Sequence, residues 1–309
     1  MQISGGVVLS GGVNLAPGSG GSSGGAYSFQ GSNYGYVSSG GNLADKIEKF
    51  SLVSDGNATD IANLSVARYD AAGQSSSASG YTSGGTPTSN VIDKFPFASD
   101  DDATDVGDLS VARAYVSGQS SSLSGYTSGG NDVSSQVNII DKFPFASDGN
   151  ATDVGDLTLD RGYSAGQSST TNGYASGGYF KPSIDKFPFA SDNNSTDIGD
   201  ITQDRYQSAG QSSTESGYTS GGIGYPAYIN VIDKFPFASD ANATDVGDLT
   251  LARGQAAGQS STQSGYTSGG RISSADVNVI DKFPFASDSN ATDVGDLTEV
   301  TRLITGQQY

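Results

Sequence analysis

Three observations predict an all-β fold: a six-bladed β-propeller of four-stranded antiparallel blades, closed by a C-terminal strand in the first blade. A unit of about 48 residues recurs six times; the phenylalanine of its Asp-Lys-Phe step falls at Phe95, Phe143, Phe187, Phe235 and Phe283, with a diverged first copy at Phe50. Within each unit, short strand-like runs are broken by Gly, Asn, Asp and Ser, which is how a four-stranded blade reads. The last eight residues, Arg-Leu-Ile-Thr-Gly-Gln-Gln-Tyr, reproduce the opening of a seventh unit and stop.

The copy spanning residues 113–158 divides into four strands at its turn residues. The first, over residues 114–121, carries the pair Gly118-Gln119 and small side chains, which suit the crowded innermost position. The second covers residues 125–128 and ends at Gly129-Gly130; the third covers 137–146 and the fourth 152–157. Alternation along the third strand puts Asp141, Phe143 and Phe145 on one side and Ile140, Lys142 and Pro144 on the other. The two phenylalanines are therefore expected to fill the gap between blades, at ~3–5 kcal/mol each on truncation to alanine. Pro144 cannot donate to a ladder, so the third strand is expected to lie toward the blade exterior or to bend there.

Residues 303–309 are expected to supply the innermost strand of the first blade, because Gly306-Gln307 reproduces the motif. Residues 26–31 compete loosely for the same place, Phe29-Gln30 matching only half of it. The domain reading is a Gly-rich N-terminal arm over residues 1–25, either a flexible tail or a segment that docks by strand addition, followed by the propeller over 26–309.

Composition removes most chemistries. The chain has no His and no Cys, which excludes the usual zinc, haem and iron–sulfur sites, thiol nucleophiles and every His-based general base. No cofactor is expected, and no enzyme activity. Carboxylate-only glycoside hydrolysis passes this filter, but it needs a unique pair of carboxylates with split pKa values, and the Asp residues here recur with the repeat. With 33 acidic against 15 basic residues and a formal charge of -18, nucleic acid and anionic membrane are not expected partners. No run approaches the ~18 apolar residues of a membrane helix, and residues 1–25 lack the pattern of a secretory signal, so the chain reads as soluble.

Several recurring motifs have structural explanations. The loop Asp-Gly-Asn-Ala-Thr-Asp at residues 148–153 recurs in every unit and is oxygen-rich. It lacks the Gly and bidentate Glu of an EF-hand, and Asx turns explain it without calcium, so no metal is expected. Asn57, Asn150, Asn194, Asn242 and Asn290 stand in glycosylation sequons within that same turn. One Arg recurs per unit: Arg68, Arg113, Arg161, Arg205, Arg253 and Arg302. Each is expected to pair with a carboxylate such as Asp156 of the Gly-Asp-Leu step and hold strands in register. The Gly-Gln-Ser-Ser steps lack a nucleophile elbow's second Gly and any base, and are expected to hydrogen-bond across a wet axial channel.

The order of Arg113, Gly125-Tyr126, Gly129-Gly130 and Phe143 resembles the Kelch-type propeller repeat. The resemblance spans all six copies and departs from the family in lacking Trp, whose packing role would pass to Phe145. The phrases IDKFPFASD, ATDVGDL and SGYTSGG are similar to degenerate Kelch-like arrays of bacteriophage structural proteins, especially marine ones. That resemblance implies a non-enzymatic virion protein: a tail fibre, receptor-binding tip or capsid decoration, attached to other virion proteins through the N-terminal arm. The alternative is a bacterial surface or secreted lectin-like adhesin.

Variation among the copies marks one face. The stretch between Gly-Gly and Ile-Asp-Lys runs from five to nine residues and contributes Tyr179, Phe180, Lys181, Tyr225, Tyr228 and Arg271, whereas the turn between strands three and four is nearly constant. Antiparallel order brings the changing residues after each Arg, Tyr69, Tyr115, Tyr163 and Tyr206, to the same face. These ten residues form the candidate binding face, for a host-surface glycan or protein, because exposed aromatics with scattered cations are the composition of recognition surfaces.

Overall fold

The structure, a computed structural model, describes residues 31–41 and 43–308. The arm expected at residues 1–25 lies outside them, as does all of the competing first strand except Gly31. Gly31 bridges Ser261 and donates its N–H to Ser260 O at 2.7 Å, on the sixth blade rather than the first.

Six four-stranded antiparallel sheets form the described chain, each running in sequence order from its innermost strand outward except the one that closes the ring. The third blade comprises Ser117–Ser120, Ser124–Ser128, Ile139–Pro144 and Thr152–Asp156. Ala72–Ser75, Ala165–Ser168, Ala209–Ser212 and Ala257–Ser260 open four of the others. In the remaining blade Thr305–Gln308 pairs with Tyr34–Ser38, which continues to Lys46–Ser51 and Thr59–Asn63. The ring is therefore closed by the chain's last described strand, as the motif match at Gly306-Gln307 predicts.

The second and fourth strands fall within a residue of their expected bounds, whereas the first is Ser117–Ser120 rather than 114–121 and the third Ile139–Pro144 rather than 137–146; alternation also misses one feature. Ile140 faces Gly155 while Asp141 faces Asp153, so Val154 is an extra residue on the outer strand. A bulge of this kind bends and twists the strand locally, and Val154 packs against the cluster of Tyr126, Ile140, Leu157, Ala175 and Phe187. The same register shift recurs at the Ile-Asp step of the second and fifth blades.

The core lies between blades. Tyr81, Ile92 and Leu109 of the second blade meet Phe143 and Ala151 of the third, with Phe145 packed against them. The Tyr81 ring is 5.5 Å from Phe143 and stacks on Phe145 at 4.8 Å, so both phenylalanines fill the interblade gap as expected. Pro144 ends its strand opposite Ser124, and the next N–H, from Phe145, goes to Leu123 O at 2.9 Å.

At the axis the innermost strands touch in cyclic order. A Cβ on Gly118 would overlap the carbonyl of Gly73, and Gly73 stands in the same relation to Gly306 across the closure. Only glycine permits that approach. The glutamines beside these glycines do not reach across a wet channel, contrary to expectation. They turn into the interblade space: the Gln74 amide donates to Ser83 Oγ, Tyr126 O and Thr127 Oγ1 at 2.9–3.0 Å. Gln307 makes the corresponding bonds from the C-terminal strand to Ser38, Tyr81 and Thr82. With small side chains lining the axis, a fully buried amide finds more acceptors in the neighbouring blade than along the channel.

The arginine expectation is corrected in two respects. Five guanidinium groups are fully buried, but their partner is the Asp of the Ile-Asp-Lys step: Arg68 with Asp93, Arg113 with Asp141, Arg161 with Asp185, Arg205 with Asp233 and Arg253 with Asp281, at 2.7–3.2 Å. Asp156 instead lies on an outer strand, its N–H bonded to Asn194 of the next blade. Burial pushes these guanidinium groups below their ordinary value, opposed by the paired aspartate. Arg302 is not the sixth member. Counting back from the axial glycine places Thr301 at that position, and Glu48 takes the place of the aspartate. Arg302 sits one residue later, on the surface, 3.1 Å from Asp276. Buried Glu48 accepts the Thr298 N–H at 2.7 Å instead.

On the face formed by the constant turns, the Asp/Asn loops join blades. Lys94 pairs with Asp148 of the next blade at 2.8 Å, and Lys282 with Asp55 across the closure at 2.9 Å. Asn150 accepts the Asp108 N–H, and Asp153 accepts from Gly155 within its own turn, both at 3.1 Å. The oxygens that looked like calcium donors are thus aimed at separate partners, and among the described residues no group of three or more acidic side chains could hold a metal ion.

Candidate functional site

The opposite face carries the variable connections. Short bridges tie the connection entering a blade to that blade's own second-to-third loop: Tyr69 to Thr86, Ala114 to Asn131, Tyr206 to Ile223 and Gly254 to Arg271. The two variable segments of each unit are therefore neighbours, as strand order implied.

Around the mouth of the axis these segments form a closed belt. Three residues before each axial glycine stand Asp70, Tyr115, Tyr163, Gln207, Gln255 and Leu303. All six have φ between 55° and 66°, a left-handed conformation that few non-glycine residues adopt. What holds them there is a hydrogen-bond circle. Each N–H donates to the carbonyl of its counterpart in the preceding blade at 2.8–3.1 Å, from Tyr115 to Asp70 round to Asp70 itself donating to Leu303. The geometry makes the backbone uniform and leaves the side chains free to differ.

They differ in sectors. Tyr115 and Tyr163 stack at 4.2 Å. Burial, and then the neighbouring Tyr115, pushes the Tyr163 hydroxyl above its ordinary value. Tyr206 meets Tyr163 edge-on at 5.8 Å and Tyr179 at 5.3 Å, and Phe180 lies 4.4 Å from Tyr179. Next round the belt, the Gln255 amide donates to Gln207 Oε1 at 2.9 Å. Asp70 is the one carboxylate of the six, and burial, partly offset by Arg302, raises its pKa to about 7.

The structure thus brings together five of the ten predicted residues: Tyr115, Tyr163, Tyr179, Phe180 and Tyr206. Tyr225 is 92% exposed and faces Phe180 and Tyr206 across a cleft of about 250 Å³. Lys181 folds back to donate to Asp160 O at 3.2 Å. Arg271 pairs with Asp276 at 2.6 Å and lies beside half-buried Tyr228. Tyr69 makes its backbone bridge to Thr86 apart from the aromatic group. Sequence reading missed Asp70, Gln207, Gln255 and Leu303. Counting back from the axial Gly, instead of forward from the Arg, would have found them and shown Arg302 to be out of step.

Chemically, the mouth offers aromatic faces, amides and one carboxylate. A glycosidase pair needs two carboxyl groups ~5–9.5 Å apart, and the belt has one. The axis below it is lined by the small residues of the inner strands, where one cavity holds about 110 Å³.

These features define the class: the chain is a six-bladed β-propeller of four-stranded blades, closed by the pairing of Thr305–Gln308 with Tyr34–Ser38, with its sequence variation gathered on one face. No protein-family model matches the chain, and no curated protein is significantly similar to it in sequence.

Proposed function

We propose that this propeller is a non-enzymatic recognition module of a virion, carried in a tail fibre, receptor-binding tip or capsid decoration, and presenting its variable face to a host-surface ligand. The observation that carries the recognition half is the convergence of Tyr115, Tyr163, Tyr179, Phe180 and Tyr206 on one sector of an otherwise near-sixfold molecule. A purely structural ring has no use for an asymmetric aromatic group left half open to solvent, whereas rigid aromatics supply contact area at low entropic cost. The virion half rests on the resemblance of the repeat phrases to phage Kelch-like arrays. The test combines mass spectrometry of purified particles with competition of particle attachment by the isolated protein. Presence in particles and inhibition of attachment are expected. A protein absent from particles but found on a bacterial surface would point to the adhesin reading instead.

A further inference from the structure

The cleft between the fourth and fifth blades carries residues unlike those at the same positions of the other units. Its walls come from Phe180 of the fourth blade's loop, Gln203, Asp204 and Tyr206 of the connection, and Tyr225 of the fifth blade's loop. At the position of Gln203 four other units carry Val66, Val111, Leu159 and Leu251, all exposed apolar side chains. Here alone a neutral amide replaces them, and a carboxylate and three aromatic rings stand beside it. Gln203 and Asp204 make no side-chain hydrogen bond among the described residues, so both are free to bind.

Phe180 is held at a conformational cost. It occupies the third position of the turn closed by Lys181 N–H to Gly178 O, with φ 57° and 54% of its surface exposed. That position ordinarily takes Gly, and an exposed aromatic kept in a strained backbone is an outlier that points to a use.

We propose that this cleft binds one ring of a neutral saccharide. At about 250 Å³ it lies just below the ~300–1,000 Å³ of drug-sized sites and suits a single pyranose. Phe180, Tyr206 and Tyr225 offer negative ring faces to the sugar's C–H surface, while the Gln203 amide donates to and accepts from adjacent hydroxyls and the Asp204 carboxylate accepts from them. Arg205, the one cation among the lining residues, is fully buried and paired with Asp233, Lys181 beside Phe180 is turned to Asp160 O, and Asp204 repels carboxylates. Acidic sugars are therefore rejected. The inference rests on the recognition reading above and gives that reading a ligand class.

The experiment titrates the whole chain, by saturation-transfer NMR and calorimetry, with methyl pyranosides of glucose, galactose, mannose and N-acetylglucosamine, and with N-acetylneuraminic acid. At least one neutral sugar is expected to bind at ~mM affinity and the acidic one not to bind. Phe180→Gly separates fold from function: it relaxes the turn, so the melting temperature holds or rises, while affinity falls about tenfold or more. Tyr225→Ala is expected to weaken binding, and Leu123→Ala, at an exposed position in the loop between the first two strands of the third blade, to leave it unchanged. Absence of saturable binding by every neutral sugar, preference for the acidic sugar, or full affinity in a Phe180→Gly/Tyr225→Ala double variant would each overturn the assignment. If Phe180→Gly binds host cells as well as the parent chain does, the cleft is refuted while recognition stands. A sugar-binding protein missing from particles keeps the cleft and refutes the virion.

Discussion

Replacing Asp281 by alanine is expected to cost the fold about 3–5 kcal/mol, the range for leaving a buried charge without its partner. Arg253 and Asp281 are both fully buried and 3.2 Å apart. Asp281 also accepts the N–H and hydroxyl of Thr250 at 2.9 and 2.7 Å, so it ties the connection from the fifth blade into the sixth. Without it, the guanidinium keeps only the Thr267 and Val279 carbonyls, at 2.8 and 3.4 Å. For a chain this size each kcal/mol moves the melting temperature by roughly 2–4 °C, so a drop of roughly 6–20 °C is expected. The assay is thermal and urea unfolding followed by circular dichroism. Arg253→Met with Asp281→Leu removes both charges and is expected to recover most of the loss, leaving about 1 kcal/mol for the unbonded Thr250 N–H. The closing blade, which has Thr301 and Glu48 in these places, shows that the architecture accepts a site without the guanidinium. A single variant within about 1 kcal/mol of the parent, or a double variant worse than the single, would refute the reasoning.

Deleting residues 303–309 removes the innermost strand of the closing blade, the Gln307 bonds to the second blade and one link of the belt; a lower and broader melting transition is expected, and unchanged melting would count against closure by this strand. Gly118→Ala drives a Cβ into the Gly73 carbonyl in a ring with no slack and should cost at least 1–3 kcal/mol, whereas Gly149→Ala, with nothing within 4 Å, should be near neutral. Equal melting temperatures for the two variants would contradict the axial contact. Asp70, raised to about 7 in the fold against about 3.9 when unfolded, binds its proton more tightly folded. Its contribution therefore falls as pH rises from about 4 to about 7 and stays low above that. Asp70→Asn is accordingly expected to melt higher than the parent at pH 8, with the gap closing by pH 4; a gap independent of pH would show that Asp70 titrates normally.

Much of the ring was readable from residues because the repeat exposes its own rules. Spacing of Phe143 and Phe187 located the blades, Gly-Gln located the axis, and alternation put Phe143 and Phe145 on the interblade side. Other elements were not readable, and for definite reasons. Val154 escaped because a bulge breaks the period of two. The partner of Arg113 was misassigned to Asp156 because sequence distance says nothing about which of several carboxylates is buried: Asp141 lies on the strand that crosses the blade interior, Asp156 on its outer edge. The glutamines were sent to the channel because inner strands suggest it, yet their amides find carbonyl and hydroxyl acceptors between blades. Of the binding face, the aromatic residues were visible in the variable loops, but Gln203 and Asp204 were not, since each is unremarkable until the other units are laid over it.

By itself, then, the amino-acid order determined periodicity, strand number, the closing segment and the face on which variation collects, because these follow from local turn chemistry and repetition. Tertiary structure alone decided which charges pair, which amides are buried and which aromatics meet. Those depend on distances between segments about 25–55 residues apart in sequence, such as Arg113 and Asp141 within a blade or Tyr115 and Tyr163 between blades, which only the folding of each blade and the curvature of the ring bring within contact.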